Sequence, residues 1–275
     1  MRTIAFLLLL SAAGASACAG DYKIDWYSIN CGGGLVTCAG YKLNTSIGQS
    51  AAGFVSNTSC LHWIGFWAGD LPVPVVPGSV GAAKMLPDGT YVSIAGRIAT
   101  TSAADFSGFF YIEEEDRSSG IRVTVSAAVP GLLRGKVVNA VGTLGTTPEG
   151  ERCLTGPIVI IVSTHAPLTP LGMPNRSVGG GEFGIPPLGQ CGVLGGAGLN
   201  NIGLIIKSWG RVIEAGSDYI VIDDGSSTPV RVSTAGMAGI PGVGNYVTVV
   251  GISSIHKPGA DRLRLILPRG RDDIN

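Results

Sequence analysis

Charged residues are scarce in this chain, and neither sign is in excess. They make up 14% of the 275 residues, with Lys plus Arg equal to Asp plus Glu at 19 each. Non-specific affinity for nucleic acid comes mostly from the neutralisation of phosphates by cations. The balanced charge therefore excludes strong general attraction to polyanions, although a local basic stripe is compatible with it.

The sequence also lacks the residue groupings that catalysis and metal binding need. Its three histidines, His62, His165 and His256, lie in separate segments, and none has a companion ligand at metal-site spacing. Residues 179–184 match Gly-x-Gly-x-x-Gly, but the two prolines that follow prevent the helix that dinucleotide binding requires. We predict no catalytic residue, no metal and no cofactor, and therefore no enzyme.

Carboxylates cluster at two places, residues 113–116 and 223–224. Calcium takes several such oxygens, so a calcium site is one interpretation. The second cluster continues into Gly225 and Ser226, which is ordinary turn chemistry. We interpret both clusters as turns.

No segment reaches the ~20 apolar residues that a membrane-spanning helix needs. Residues 1–17 contain an early Arg2, an apolar run and the ending Ala15-Ser16-Ala17, a form that signal peptidase cuts. This pattern predicts a signal peptide and a secreted or periplasmic protein without a transmembrane segment. The alternative is a lipoprotein anchored at Cys18.

Cysteine is limited to six residues, an even number that suits disulfides in an exported protein. No pair has the Cys-x-x-Cys spacing of zinc or redox sites. Acylation of Cys18 would leave five, which favours the unacylated form. The predicted pairs are Cys31 with Cys38, Cys18 with Cys60, and Cys153 with Cys191.

Glycine is abundant, at 43 residues, and the chain repeats itself. Residues 110–154 align without a gap on residues 219–263, which pairs Phe110 with Tyr219 and Arg122 with Arg231. A repeat of this length is a whole domain rather than a solenoid unit. The sequence therefore predicts two tandem copies of one small β-domain.

Five short strands are predicted in each copy. They are 91–99, 109–113, 121–126, 137–144 and 158–162, then 204–213, 219–222, 230–233, 246–252 and 263–267. Five strands fit the small barrel called the OB-fold, whereas the alternative, a pair of β-sandwiches, would want about seven each. The predicted fold is all-β: two tandem five-stranded OB-like barrels preceded by a small disulfide-containing β module.

The domain boundaries follow from changes in composition. After the signal peptide we expect an N-terminal β module (18–70), a proline-rich extended linker (71–78), the first barrel (79–167), a glycine-rich connector (168–201) and the second barrel (202–275). The connector carries interspersed apolar residues, which predicts an ordered, close-packed loop with several residues at positive φ. The alternative is a flexible linker.

Both copies share one motif: Gly-Arg-Ile or Gly-Arg-Val, an acidic pair, an Arg-Val strand, Pro-Gly, then Gly-x-x-Val-x-x-x-Gly. This motif resembles the nucleic-acid-binding type of OB-fold. The segment with Trp26, Ser46-Ile47-Gly48-Gln49 and Gly65-Phe66-Trp67 is similar to that of exported bacterial proteins of unassigned role. The resemblance implies a secreted OB-fold protein with a general binding role.

The third strands alternate apolar and polar residues, so Val123 and Val232 should face the barrel interior while Arg122 and Arg231 face outward. OB-folds bind ligands across the second and third strands, where bases stack on aromatic rings and cations follow the backbone. In the alternative, these residues only keep the surface soluble and close the barrel. The predicted ligand-binding residues are Arg122, Arg231, Phe109, Tyr111 and Tyr219.

Together these observations predict an exported, non-enzymatic binding or structural protein whose partner the sequence does not identify. The alternative is a binder of single-stranded nucleic acid or oligosaccharide through the outer face of strands 2 and 3. A hydrolase with an unfamiliar site is the third hypothesis.

Overall fold

The computed structural model describes residues 73–185 and 187–275, and the backbone of four strands nearer the N-terminus. Those strands are β1 (Gly32–Cys38), β2 (Tyr41–Ile47), β3 (Gly53–Ser56) and β4 (Leu61–Ile64). The chain divides into two compact units, Met1–Leu71 and Pro72–Asn275. The predicted signal peptide, Cys18 and the Cys31–Cys38 and Cys18–Cys60 pairings lie outside the residues whose side chains are described.

The first unit contains two antiparallel hairpins. Strand β1 pairs with β2 from Gly32↔Ile47 to Cys38↔Tyr41, and β3 pairs with β4 from Gly53↔Ile64 to Ser56↔Leu61. These pairings confirm the β character of the N-terminal module.

The second unit opens with a helix, α1 (Val80–Lys84), and a closed five-stranded barrel. Its strands are β5 (Tyr91–Ala99), β6 (Phe109–Glu113), β7 (Gly120–Thr124), β8 (Lys136–Thr146) and β9 (Arg152–Thr164). They pair in the order β5-β6-β7-β9-β8 and back to β5, with β7 and β9 parallel. This barrel confirms the predicted fold class, and its interior is filled by residues such as Ile94, Phe110 and Leu154.

One strand of the first barrel is much longer than predicted. The prediction placed the fifth strand at 158–162, whereas β9 begins at Arg152 and ends at Thr164. Gly156 and Pro157 suggest a strand end, but the strand passes through them with a register shift opposite Val141 and Thr143. A bulge of this kind absorbs the extra residue and lets the pairing continue.

The rest of the unit forms a six-stranded sheet. Its strands are β10 (Leu171–Gly172), β11 (Ile205–Ala215), β12 (Tyr219–Asp223), β13 (Val230–Ser233), β14 (Tyr246–His256) and β15 (Leu263–Leu267). The order is β10-β11-β12-β13-β15-β14, and β11 also pairs with β14. Strands β11 to β15 thus follow the same order of pairing as the first barrel, including a parallel pair, β13 and β15.

Strand register corrects the ungapped alignment of the two copies. Phe109 pairs with Thr124 and Tyr219 pairs with Ser233, so Tyr219 corresponds to Phe109 rather than to Phe110. The reason is that the hairpin from Phe109 to Thr124 is one residue longer than the hairpin from Tyr219 to Ser233. An alignment without gaps cannot accommodate that difference.

The proline-rich linker and the start of the connector belong to the sheets they precede. Val75 forms a parallel bridge to Val92 of β5, and Leu171 of β10 pairs in parallel with Ile206 of β11. Val80 and Val178, which follow these two pairings, are each fully buried in a hydrophobic core. Residues of the predicted linker and of the predicted connector thus each add a parallel pairing to the sheet that follows.

The glycine-rich connector is ordered, as predicted. Six glycines between residues 179 and 198 have positive φ, and Gly180 and Gly189 have backbone where a side chain would lie. Leu194 donates its backbone N–H to the carbonyl of Arg262, just before β15, and Gly189 donates to the Lys84 carbonyl of α1. The connector thus joins the first barrel to the second sheet.

Cys153 and Cys191 are free thiols, which differs from the predicted disulfide. Cys153 is buried on β9, opposite Arg122 of β7, and burial raises the pKa of its thiol. Cys191 lies in the connector, next to Gln190, which donates a hydrogen bond from its side chain to the Gly150 carbonyl. No helix in the described part of the chain is long and apolar enough to cross a membrane.

Candidate binding face

An arginine lies over an aromatic ring at the same place in both sheets. The guanidinium carbon of Arg122 is 3.6 Å from the centroid of the Phe109 ring. That of Arg231 is 3.5 Å from the centroid of the Tyr219 ring. Both arginines are on the outer face, because Val123 and Val232 beside them point into the cores. Strand alternation predicted the outward direction of the two arginines, and the structure adds that each forms a cation–π pair with an aromatic residue of the second strand.

The second sheet covers part of the face around the first pair, while Arg122 itself stays 22% exposed. Phe106 stacks on Phe109 with ring centroids 4.9 Å apart, and Tyr111 meets Phe109 edge-on. These three rings pack against Ile205, Ile252 and other apolar residues of β11, β14 and β15. Tyr111, predicted to bind ligand, has no exposed surface. It points out of its own barrel as expected, but into the contact with its neighbour.

Buried charge lies beneath that contact. Glu151 Oε2 accepts hydrogen bonds from the Tyr111 hydroxyl at 3.1 Å and the Ser254 hydroxyl at 3.0 Å. Arg122 approaches the same oxygen at 3.7 Å. Burial raises the pKa of Glu151. The sequence carries no signal for this residue, because Glu151 lies in a Gly-Glu-Arg turn that reads as ordinary surface.

A second buried charge belongs to helix α1. Lys84 Nζ donates to the Ile202 carbonyl at 2.8 Å, and its side chain is only 2% exposed. Burial lowers the pKa of Lys84 to about 8. Both charges join the first barrel to segments of the second, so they act in the assembly of the unit.

The carboxylates of the first cluster, residues 113–116, have two different structural roles. Glu113 is buried at the end of β6, where its carboxylate accepts from the Ile205 N–H at 3.0 Å and pairs with Arg117. Arg117 also donates to the Ile205 carbonyl at 2.9 Å. Asp116 accepts from the Ser118 N–H, as a turn residue does. Glu113 is thus a contact to β11 rather than a turn residue.

The second cluster forms the predicted turn. The Asp223 and Asp224 carboxylates accept from the N–H groups of Gly225 and Ser226, each two residues ahead. Asp224 also accepts from the Asn175 N–H. In the described ranges, no three His, Cys, Asp or Glu side chains are grouped to hold a metal ion.

The face around the second pair remains accessible to solvent. Tyr219, Val221 and Arg231 each keep part of their surface exposed. Arg231 faces Asp218 at 3.7 Å, and the Tyr219 hydroxyl donates to Glu214, which raises the pKa of Tyr219. The ring and the guanidinium are therefore preorganised next to one another.

Strands β11 and β14 extend this accessible surface with residues that were not predicted. Along β11, Lys207, Trp209 and Arg211 are exposed while the residues between them are buried. Trp209 is 50% exposed, and Tyr246 of β14, which pairs with Arg211, is 80% exposed. Asp223 of β12 pairs with Arg211 from the other side, which links these residues to Tyr219 and Arg231. We call this surface the open face; it comprises Lys207, Trp209, Arg211, Tyr219, Arg231 and Tyr246.

The arginines near the C-terminus are engaged in internal contacts instead of forming a basic patch. Arg262 donates to the Gly192 carbonyl at 3.0 Å, and Arg264 donates to the Leu194 carbonyl at 3.1 Å. Arg269 pairs with Asp273 at 2.8 Å. These arginines therefore hold the connector and the end of the chain in place.

Comparison with known proteins adds little to this geometry. No family model and no curated protein matches the sequence. Among solved structures, the chain is similar to a murine DNA-binding protein bound to double-stranded DNA. The sequence identity is 12%, the TM-score is 0.35, and the match covers 65% of this chain and 91% of that chain. At that TM-score the likeness assigns neither a fold nor a ligand.

Proposed function

We propose that this chain is a non-enzymatic binding protein and that its ligand lies across the open face. One contrast carries the proposal. Both Arg–aromatic pairs are partly exposed. Beside the first pair Tyr111 is fully buried against the neighbouring sheet, whereas the surface of the second pair is continued by the exposed Trp209 and Tyr246. Large exposed aromatic side chains next to cations are typical of ligand sites rather than of inert surface.

The ligand class that these groups suit is single-stranded nucleic acid. Bases stack on aromatic rings regardless of sequence, and arginine and lysine follow the phosphate backbone. The open face supplies both, because Trp209 lies between Lys207 and Arg211 on one strand. Its cations are few, so we expect weak, sequence-tolerant binding with a shallow salt dependence.

A second candidate, an oligosaccharide, is favoured by the carboxylates within the same surface. Glu214, Asp218 and Asp223 each lie beside a member of the open face. They offset its positive charge and supply hydrogen-bond acceptors for hydroxyl groups. OB-folds bind both kinds of polymer, and salt dependence separates them.

Trp209 provides the test. Its fluorescence is followed during titration with oligo-dT or with a panel of neutral oligosaccharides. An oligo-dT of about 12 nucleotides is suitable, because one OB-fold covers ~4–16 nucleotides. We expect quenching by one class of ligand, and W209F identifies the signal that belongs to this residue. Salt should weaken a nucleic acid complex and leave a neutral glycan complex unchanged. Flat curves for both classes would contradict the proposal.

Matched variants test whether the ligand binds at the open face. Trp209→Ala and Tyr246→Ala should each weaken binding about 10- to 100-fold, the effect of losing one stacked base. Leu133→Ala is the control, because Leu133 is 59% exposed but lies in the first barrel. Equal effects of all three variants would show that the ligand does not bind at the open face.

We also propose export, on the basis of residues 1–17. Expression in a host with a signal peptidase, followed by mass spectrometry of the mature N-terminus, tests it. We expect the mature chain to begin at Cys18 in the exported fraction, and an added acyl mass there would identify the lipoprotein form. Retention of Met1 in an intracellular chain would contradict export.

A further inference from the structure

Strand β9 is paired along one edge but open along most of the other. It pairs with β8 from Arg152 to Thr164, whereas β7 covers only Cys153 to Thr155. Beyond Thr155, no strand of the described residues lies on the β7 side. An edge of this length presents a row of backbone N–H and C=O groups that another strand can pair with.

The space beside that edge is a cleft rather than a packed loop. After Thr124 the chain turns away from β9 and leaves a cavity of about 610 Å³. One wall is formed by residues 124–130, and the other by Gly156, Pro157 and Val159 of β9. A further strand can therefore approach β9 without displacing a neighbour.

The open edge carries no charge. Residues 153–164 contain no charged side chain, and residues 158–162 are all isoleucine or valine. Ile158 is 48% exposed and Ile160 is 37% exposed. Natural edge strands usually carry lysine, proline or a bulge to prevent pairing with other chains. Here the irregular positions lie at the two ends of the open stretch, Gly156 and Pro157 at its beginning and a register shift at Val162 at its end, so residues 158–161 remain regular.

The corresponding strand of the second sheet is protected. Strand β15 ends at Leu267 and is followed by Pro268. Arg269 and Asp273 form an ion pair in the next segment. Only Ile274 then returns to the sheet, as a single bridge to Val249. The same order of pairing is thus compatible with a closed edge, and only the first barrel leaves it open.

We infer that β9 pairs with β9 of a second copy of this chain, antiparallel, around a two-fold axis near Ile160. Each copy offers the same uncharged edge, so the pairing brings no unpartnered charge to the contact. With the axis at Ile160, Val159 lies opposite Ile161 within the regular stretch. Such pairs of β-branched residues stabilise antiparallel strands. A two-fold contact uses both edges and closes at a dimer.

Sedimentation velocity of the mature full-length chain over a range of concentrations tests the inference. We expect a monomer–dimer equilibrium in the wild type. Ile160→Lys places two ammonium groups opposite one another across the axis and should weaken the dimer on the order of 100-fold. Val243→Lys is the control, because Val243 is 62% exposed but lies in the loop between β13 and β14; it should leave the dimer unchanged.

A charge exchange distinguishes pairing from misfolding. Ile160→Asp should also give a monomer, and an equimolar mixture of the Lys and Asp variants should restore the dimer through opposite charges. Circular dichroism of each variant checks that the fold is retained. A wild type that stays monomeric, a Lys variant that dimerises like the wild type, or a mixture that stays monomeric would each overturn the inference.

Discussion

Tyr111 donates its hydroxyl hydrogen to Glu151 Oε2 at 3.1 Å, in a site from which solvent is excluded. Tyr111 belongs to β6, and Glu151 lies in the turn that leads into β9. Ser254 of β14 donates to the same oxygen. One carboxylate oxygen thus joins the first barrel to the second sheet. Because a buried polar group without partners is expensive, this contact specifies how the two sheets meet.

Removing the Tyr111 hydroxyl should destabilise the unit. Tyr111→Phe takes one donor from a buried carboxylate, so the free energy of unfolding should fall by about 1–3 kcal/mol. Urea denaturation followed by circular dichroism measures it. Tyr219→Phe is the control, because its hydroxyl bond to Glu214 is exposed, and it should change stability by less than about 0.5 kcal/mol. Equal losses would mean that the buried bond has no special role.

Lys84 should make stability increase with pH in the alkaline range. Burial lowers its pKa from 10.5 to about 8 in the folded chain. Between these values the unfolded chain binds more protons, so the free energy of unfolding rises with pH. Relative to Lys84→Met, the wild type should gain about 3 kcal/mol between pH 8 and 10.5 and nothing further below pH 8. Parallel pH profiles of the two proteins would show that Lys84 titrates normally.

The connector should be sensitive to a side chain at Gly180. A Cβ there would lie 2.2 Å from the Leu199 carbonyl oxygen, whereas one at Gly195 meets nothing within 4 Å. Both glycines have positive φ, so Gly195→Ala reports backbone strain alone, about 1–2 kcal/mol. Gly180→Ala should destabilise the chain by about 3 kcal/mol or more. Similar thermal unfolding of the two variants would mean that the connector relaxes around the added methyl.

Arg211 should contribute to the salt dependence of nucleic acid binding. If it contacts a phosphate, Arg211→Gln should reduce the slope of log affinity against log salt by about 0.7, the value for one contact on a single strand. Arg134→Gln is the control, because Arg134 pairs with Asp105 in the first barrel, and it should leave the slope unchanged. An unchanged slope for both variants would show that the phosphate backbone of the nucleic acid does not contact Arg211.

Local alternation in the sequence was enough to predict the strands and the direction of their side chains. Val230, Arg231 and Val232 alternate in the sequence, and the structure has the two valines buried and the arginine outside. Trp209 and Arg211 follow the same alternation on β11. The predicted ligand face did not include them, because it was limited to strands 2 and 3 and β11 is the first strand of its copy.

Which residues of the predicted ligand face are exposed depends on a contact between distant segments. Tyr111 and Tyr219 are both aromatic residues on second strands, and nothing in their neighbours indicates that one is buried and the other accessible. The difference arises because Ile205 and Ile252 of the second sheet lie on Tyr111. The roles of Glu151 and Lys84 were not predicted for the same reason. Each is a charged residue that becomes buried only where the first barrel meets segments of the second sheet.

The amino-acid pattern by itself determined the β-strands, the duplication of their order and the turns between them, because period-2 alternation and glycine placement act within a few residues. Only the tertiary structure decided that Tyr111 is buried beside its arginine–aromatic pair, which carboxylates are buried and where β9 remains unpaired. Those outcomes depend on how two sheets dock on one another. Docking is governed by shape and by the desolvation of groups that are far apart in the chain.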